Sequence, residues 1–131
     1  MEEALRSYLL ADTAITAAVA DRAYWGQRPQ GSALPCLVLT VVSAIPAYEY
    51  TGAAPITENR VQIDAYGATY ASVKALSRLV RARLGGIRVL QSGVRLRAFK
   101  VSERDDRGEA QSAGVAVFRC STDYQVWHDE G

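Results

Sequence analysis

The sequence predicts an α+β fold: a single domain in which an N-terminal helix and a central helix pack on one face of a mostly antiparallel, twisted sheet. Three observations carry this. Arg60–Tyr66 alternates, with Val61, Ile63 and Ala65 on one face and Gln62, Asp64 and Tyr66 on the other, the period-two pattern of a half-buried strand. Val73, Leu76, Val80 and Leu84 recur at three- and four-residue steps, one apolar stripe along a helix from Thr69 to Leu84. After that helix the chain closes on strand-like segments joined by polar turns, an antiparallel set.

Taken in order, Glu2–Ala11 places Ala4, Leu5, Tyr8 and Leu9 on one side and two acids in the first turn, where the helix dipole favours them. Asp12-Thr13 suits the cap of a second short helix, Ala14–Ala20, with Ile15 and Val19 on one side. Arg22–Pro35 reads as irregular, punctuated by Gly26, Pro29, Gly31, Ser32 and Pro35. Cys36–Ser43 is apolar and β-branched without clean alternation, a strand buried on both faces or nearly so.

Ala44–Thr57 holds Pro46, Gly52 and Pro55 around Tyr48, Glu49 and Tyr50. It is long for a hairpin loop, and long loops are usually functional or disordered. It is expected to form a protruding loop or hairpin arm, around 44–58, whose second limb runs into the Arg60 strand. Thr69 suits the N-cap of the central helix, and Gly85-Gly86 suits its stop. Ile87–Leu90 is a short strand, Gln91-Ser92-Gly93 a turn, and Val94–Glu103 a strand whose alternation slips after Ala98, so a bulge is expected there. Arg104–Gly108 reads as a polar turn that Glu109–Ser112 extends. Gly114–Trp127 is the last strand, with Cys120, Thr122, Tyr124 and Val126 on its core face, and His128–Gly131 reads as a frayed tail.

At 131 residues, 49% hydrophobic and 22% charged, the chain is one globular domain of ordinary composition, 1–131. No apolar run approaches the roughly 18 residues a bilayer requires, so no membrane span is expected. The acidic N-terminus lacks a secretory pattern, which predicts folding in the cytoplasm. Cys36 and Cys120 sit in apolar strand-like runs and read as buried free thiols.

The net charge of +1 conceals an asymmetry. Up to Asp64 the chain has seven acids and four bases, and from Lys74 onward eleven bases and seven acids, giving −3 and +4. Nearly all the cations are arginine, which pairs bidentately with carboxylates and is enriched at interfaces. Such a chain is suited to stacking against copies of itself, although a solvated helix face accounts equally for the arginines of the central helix.

No catalytic or cofactor pattern emerges. The single histidine, His128, lies near the end, and two distant cysteines are not a zinc set. Neither phosphate-cradling glycine motif nor nucleophile elbow occurs. The enzymatic alternative is a metal-dependent hydrolase with Asp64, Asp105 and Asp106 as Mg²⁺ carboxylates. A nucleic-acid-binding alternative uses Arg78, Arg81, Arg83, Arg88, Arg95, Arg97 and Lys100, without interleaved aromatics for base stacking.

Several segments in order resemble the tail-completion, or tail-terminator, proteins of long-tailed phages and gene transfer agents. Glu3-Ala4-Leu5-Arg6 through Leu9-Leu10-Ala11-Asp12 resembles the family's opening helix. Arg22-Ala23-Tyr24, Pro29-Gln30-Gly31 and Leu34-Pro35 resemble the loop before its first strand. Arg60–Tyr66 followed by Thr69-Tyr70-Ala71 resembles its strand-to-helix passage, and Arg104-Asp105-Asp106 with Val126-Trp127-His128 its C-terminal hairpin. The resemblance implies a structural virion protein without catalytic residues or cofactors. It implies a homo-oligomer, a hexameric ring that caps the tail tube, ends its polymerisation and joins the head-side connector. The expected partners are the tail tube protein and a head-tail connector or stopper protein, with non-specific passage of DNA through the lumen. A neighbouring connector or stopper ring is the alternative. On this reading Tyr48, Glu49 and Tyr50 belong to a subunit or tube contact, and Arg95, Arg97 and Lys100 to a ring surface or lumen.

Overall fold

The structure, a computed structural model, describes residues 1–27, 33–49, 52–91, 93–110 and 116–129, without the side chains of 45–49, 52–56, 105–110, 116 and 129. Its elements are α1 (Glu2–Leu10), α2 (Thr13–Val19), β1 (Ala23–Trp25), β2 (Cys36–Glu49), β3 (Gly52–Gly67), α3 (Tyr70–Leu84), β4 (Ile87–Gln91), β5 (Val94–Ala110) and β6 (Ala116–Asp129). They form an α+β domain with a six-stranded sheet in the order β1-β2-β3-β6-β5-β4. Among the described residues only β1 and β2 pair in parallel; the other ladders are antiparallel.

The helices are built as their sequences require. Asp12 Oδ1 accepts from the backbone N–H of Ala14 at 2.8 Å and starts α2. Thr69 Oγ1 accepts from Ser72 N–H at 3.1 Å and starts α3. At the far end Gly86 takes φ 74°, a conformation open to glycine at little cost, and its N–H donates to Ala98 O at 2.9 Å. Val73, Leu76, Val80 and Leu84 are buried and lie on the sheet as one stripe. β3 passes into α3 through Gly67. A Cβ there would stand 2.7 Å from Ser72 Oγ and 2.8 Å from Val73 Cγ2, so the approach requires glycine.

All three helices of the described chain contribute to one core with Leu37, Leu39, Val61, Ile63, Ala65, Leu96, Cys120, Tyr124 and Val126 of the sheet. α1 packs against both edge strands, β1 and β4, so the sheet curls around the helical layer and one helix covers both edges. Arginines fasten the layer through backbone carbonyls. Arg6 donates to Ala23 O at 2.8 Å and Arg22 to Pro35 O at 2.9 Å. Arg83 donates to Tyr8 O at 2.9 Å while its guanidinium lies 3.7 Å from the Tyr8 ring centroid.

Several sequence-based expectations are corrected. Residues 22–35 contain a strand: Ala23–Trp25 pairs in parallel with Leu37–Leu39, too short to show a period. β2 and β3 continue past the expected limits Ser43 and Arg60, to the pair Glu49↔Gly52. A register shift directly after Pro46 accommodates the proline. The bulge in β5 falls between Lys100 and Ser102, not at Ala98, which stays in register opposite Val126. Phe99 and Val101 accordingly remain exposed, at 46% and 43%. Arg104–Gly108 lies within strand β5 and is not a turn, because Arg104 pairs with Ser121 and Arg107 with Phe118; pairing overrides the turn-forming composition. His128 and Asp129 belong to β6, where His128 pairs with Thr57 and Leu96, and are not a frayed tail.

Cys36 and Cys120 are free and buried. Cys36 shares a register row with Tyr66 and Arg119, Cys120 a row with Leu37 and Ala65. Adjacent rows point to opposite faces, so the two thiols face opposite sides of the sheet.

Leu76 is 1% exposed and Leu90 69%. Leu76→Ala should lower the unfolding free energy by about 2–5 kcal/mol, and Leu90→Ala by less than about 0.5 kcal/mol. The buried Tyr124 hydroxyl has no hydrogen-bond partner among the described residues, so Tyr124→Phe should raise stability by about 1 kcal/mol. Urea denaturation of the three variants checks these values.

Candidate functional site

The helices cover one face of the sheet. The other face is made by alternate residues of the same strands, and the register brings them into rows: Asp64, Ser121 and Arg104; Gln62, Asp123 and Ser102; Arg60, Gln125 and Phe99; Glu58, Trp127 and Arg97. At its centre lies a polar network. Arg60 donates from Nε and Nη2 to Asp123 Oδ2 at 3.1 and 2.9 Å. Arg104 Nη2 donates to Asp123 Oδ1 at 3.3 Å. Asp64 accepts from Gln62 Nε2 at 3.1 Å and from Ser121 Oγ, and Glu58 accepts from Gln125. Both aspartates are 5% exposed. Burial alone would raise the Asp123 pKa, but hydrogen bonds and charge from Arg60 and Arg104 outweigh it and hold the carboxyl below its ordinary range.

Asp64 is engaged by Gln62 and Ser121, and on β5 Asp105 and Asp106 pair across from Cys120 and Arg119. Among the described residues no three His, Cys, Asp or Glu side chains come together as a metal set.

Of the basic residues singled out in the sequence, Arg95 and Arg97 share the outer face and are exposed. Lys100 does not join them. It pairs with the core residue Tyr124 and lies 3.8 Å from Glu103 on the helix side, where Lys74 of α3 is 3.5 Å from the same carboxylate. For Glu103, burial is again outweighed, here by the Ser77 hydroxyl and the two lysines, and its pKa is lowered.

Arg95 and Arg97 are instead joined by Arg88 and Leu90 of β4, which pair directly opposite them, and by Trp127 of β6, opposite Arg97. These residues line a cavity of about 530 Å³ at the β4–β5 turn end of the sheet. Phe99 packs beside it, with ring centroids 5.0 Å from Trp127. Arg88 is among the basic residues named from the sequence; Leu90 alternates with it and sits across the β4–β5 connection from Arg95 and Arg97, a signal that would have found it, with Gln91 paired to Val94 and so part of β4, not of a turn; Trp127 carries no such local mark. Of the arm residues, Tyr48 and Glu49 lie in β2, paired with Ala53 and Gly52. Their side chains, and all of Tyr50, fall outside the described residues.

The family described as Tail completion protein gp17 matches residues 3–129. The chain belongs to this family. Membership makes it a structural protein of the phage-tail type, located in the virion tail. No curated protein matches the chain. A solved chain from the virion of a native gene transfer agent particle is 22% identical, with a TM-score of 0.78 over 98% of this chain and 94% of that one. A second solved chain is 15% identical, with a TM-score of 0.59 over 99% of this chain and 90% of its own. At these identities the likenesses carry the fold alone. Among the described residues no helix is long and apolar enough to cross a membrane.

The carboxylates of Asp123 and Glu103 have lowered folded-state pKa values. Their contribution to stability is therefore present above the unfolded value of about 4 and is lost as pH falls through the folded values. Denaturation between about pH 7 and pH 3 should show stability falling on the acid side, and Asp123→Asn should flatten that fall while lowering stability at neutral pH.

Proposed function

We propose that this protein closes the head-proximal end of a tail tube as a ring of identical copies, most simply six, and there ends tube polymerisation and meets the head-side connector. The observation that carries the proposal is the family match across residues 3–129, supported by a fold like that of a chain in a gene transfer agent virion. The protein then works by shape and contact and carries out no reaction. Arg60 and Arg104, converging on the buried Asp123, stiffen the sheet face that neighbours would read. A ring needs a heterologous contact, one patch against a different patch, and a chain whose two parts carry −3 and +4 supplies opposite charges for it. Tube protein, connector protein and DNA crossing the lumen are the partners this implies.

Negative-stain microscopy of the purified protein, with and without tail tubes, tests this. Sixfold rings, seated at one end of each tube, are expected. A protein that stays monomeric and leaves tube ends bare would overturn it. Replacing Tyr48 and Tyr50 together by Ala should reduce ring assembly by roughly tenfold or more while circular dichroism and melting of the monomer stay as in the parent. Normal rings from that variant would remove the arm from the contact.

A further inference from the structure

Two stretches of the sheet pair on one side only among the described residues. β1 pairs with β2 from Leu37 to Leu39, and β4 with β5 from Val94 to Ala98. Past these points β2 runs on to Glu49 beside β3 alone, and β5 runs on to Ala110 beside β6 alone. Such an edge presents a row of N–H and C=O groups with no ladder partner, and folded proteins normally blunt or cover it. In β2 the direction of these groups follows from β1. Leu37 N–H donates to Arg22 O, and Leu39 O accepts from Gly26 N–H. Val41, two positions on, turns its main chain the same way beyond the end of β1.

Both strands are bent where their cover ends. A register shift falls between Val41 and Ser43 in β2, and another between Lys100 and Ser102 in β5. Each begins two residues past the last residue paired with β1 or β4. A bulge raises the local twist and re-aims the strand beyond it. The extra residues are Val42 and Val101, exposed at 54% and 43%, and Phe99 beside the second is exposed as well. Large apolar side chains thus stand bare at the start of both free edges.

The two edges are complementary. Three antiparallel ladders in succession separate β2 from β5, so the two strands run in opposite directions. β3 and β6 stand between them, which keeps them apart within one chain. The β2 edge of one copy and the β5 edge of another meet as an antiparallel pair that continues the sheet. The free stretches lie at opposite ends of it: Ala44 is level with Ala98, where β4 still pairs, and Leu39 with Glu103, past the end of β4. Joining them displaces each copy along the strands, and a sheet that closes on itself requires such a stagger.

We infer that the edge of β2 from Val41 to Glu49 pairs with the edge of β5 from Phe99 to Ala110 on the next copy, so that β2, β3, β6 and β5 of successive copies form one closed sheet. The inference rests on the ring reading and names the contact that closes it. Main-chain hydrogen bonds hold the pair, and the neighbouring strand covers Val42, Phe99 and Val101. Pro46 has no N–H and leaves one gap in the new ladder. The contact is heterologous, one edge against a different edge, and repeating it in one sense closes a circle.

Amide hydrogen exchange of the full chain, compared between assembled and dissociated protein, tests the pairing. Residues 41–49 and 99–110 should both exchange roughly tenfold or more slowly in the assembly, while the β3–β6 ladder keeps its rates. Protection of neither stretch, or of one alone, overturns the inference. Protection of both that appears only after tail tubes are added assigns the edges to the tube protein and also overturns it. As a second measurement, Val42→Lys with Val101→Lys places charges on both edges. The concentration for half-assembly should rise by roughly tenfold or more, with the melting of the monomer as in the parent. Assembly of that variant at the parent concentration counts against the pairing. Wild-type protein that forms no closed assembly defeats the ring reading itself. Closed rings whose two edges exchange as in the monomer defeat only this contact.

Discussion

The pairing of β6 between β3 and β5 is the constraint on which the molecule depends. β6 is the last strand in the sequence and one of the two central strands of the sheet. Its register with β3 runs from Ile56↔Asp129 to Gly67↔Phe118, so residues about sixty positions apart must meet before either side of the sheet is complete. Val61 and Tyr124 lie opposite one another in that ladder, both fully buried, and α3 lies across the same two strands. Until β6 is in place, β4 and β5 form a separate antiparallel pair and α3 has half of its packing surface missing. The close passage at Gly67 brings the end of β3 against the first turn of α3.

Three groups of arginines hold different places in the structure. Arg6, Arg22 and Arg83 donate to main-chain carbonyls of other elements. They satisfy acceptors at helix and strand ends that would otherwise lose water on folding. Arg60 and Arg104 converge on one aspartate beneath the uncovered face. Arg88, Arg95 and Arg97 lie further out, at the end of the same face. A count of arginines predicts a basic patch; only the strand register shows which of them belong to it. Lys100 illustrates the difference, because an odd spacing from Arg95 and Arg97 turns it to the opposite side of β5, against Glu103.

Legibility in the sequence followed the strength of the local period. α3 and its cap at Thr69, the apolar stripe and the alternating part of β3 were legible because they repeat over many residues. The double burial of Cys36–Leu39 was legible from an unbroken apolar run. β1 was not, since three residues show no period and a parallel partner comes from elsewhere in the chain. The strand character of Arg104–Gly108 was hidden because Asp and Gly favour turns in isolation, while Ser121 and Phe118 supply pairing that no local window contains. On the candidate surface, Arg95 and Arg97 could be placed together from their spacing. Their neighbour Trp127 comes from pairing with a strand distant in the sequence, and the Arg60–Asp123 contact spans 63 positions with no marker in either segment.

The two thiols lie behind opposite faces of one sheet, and both are buried. An oxidant therefore cannot join them while the strands remain paired, and the fold is indifferent to the redox state of its surroundings. The same shielding makes thiol reactivity an internal clock of sheet opening, since each sulfur becomes reachable only when its own side of the sheet is laid bare.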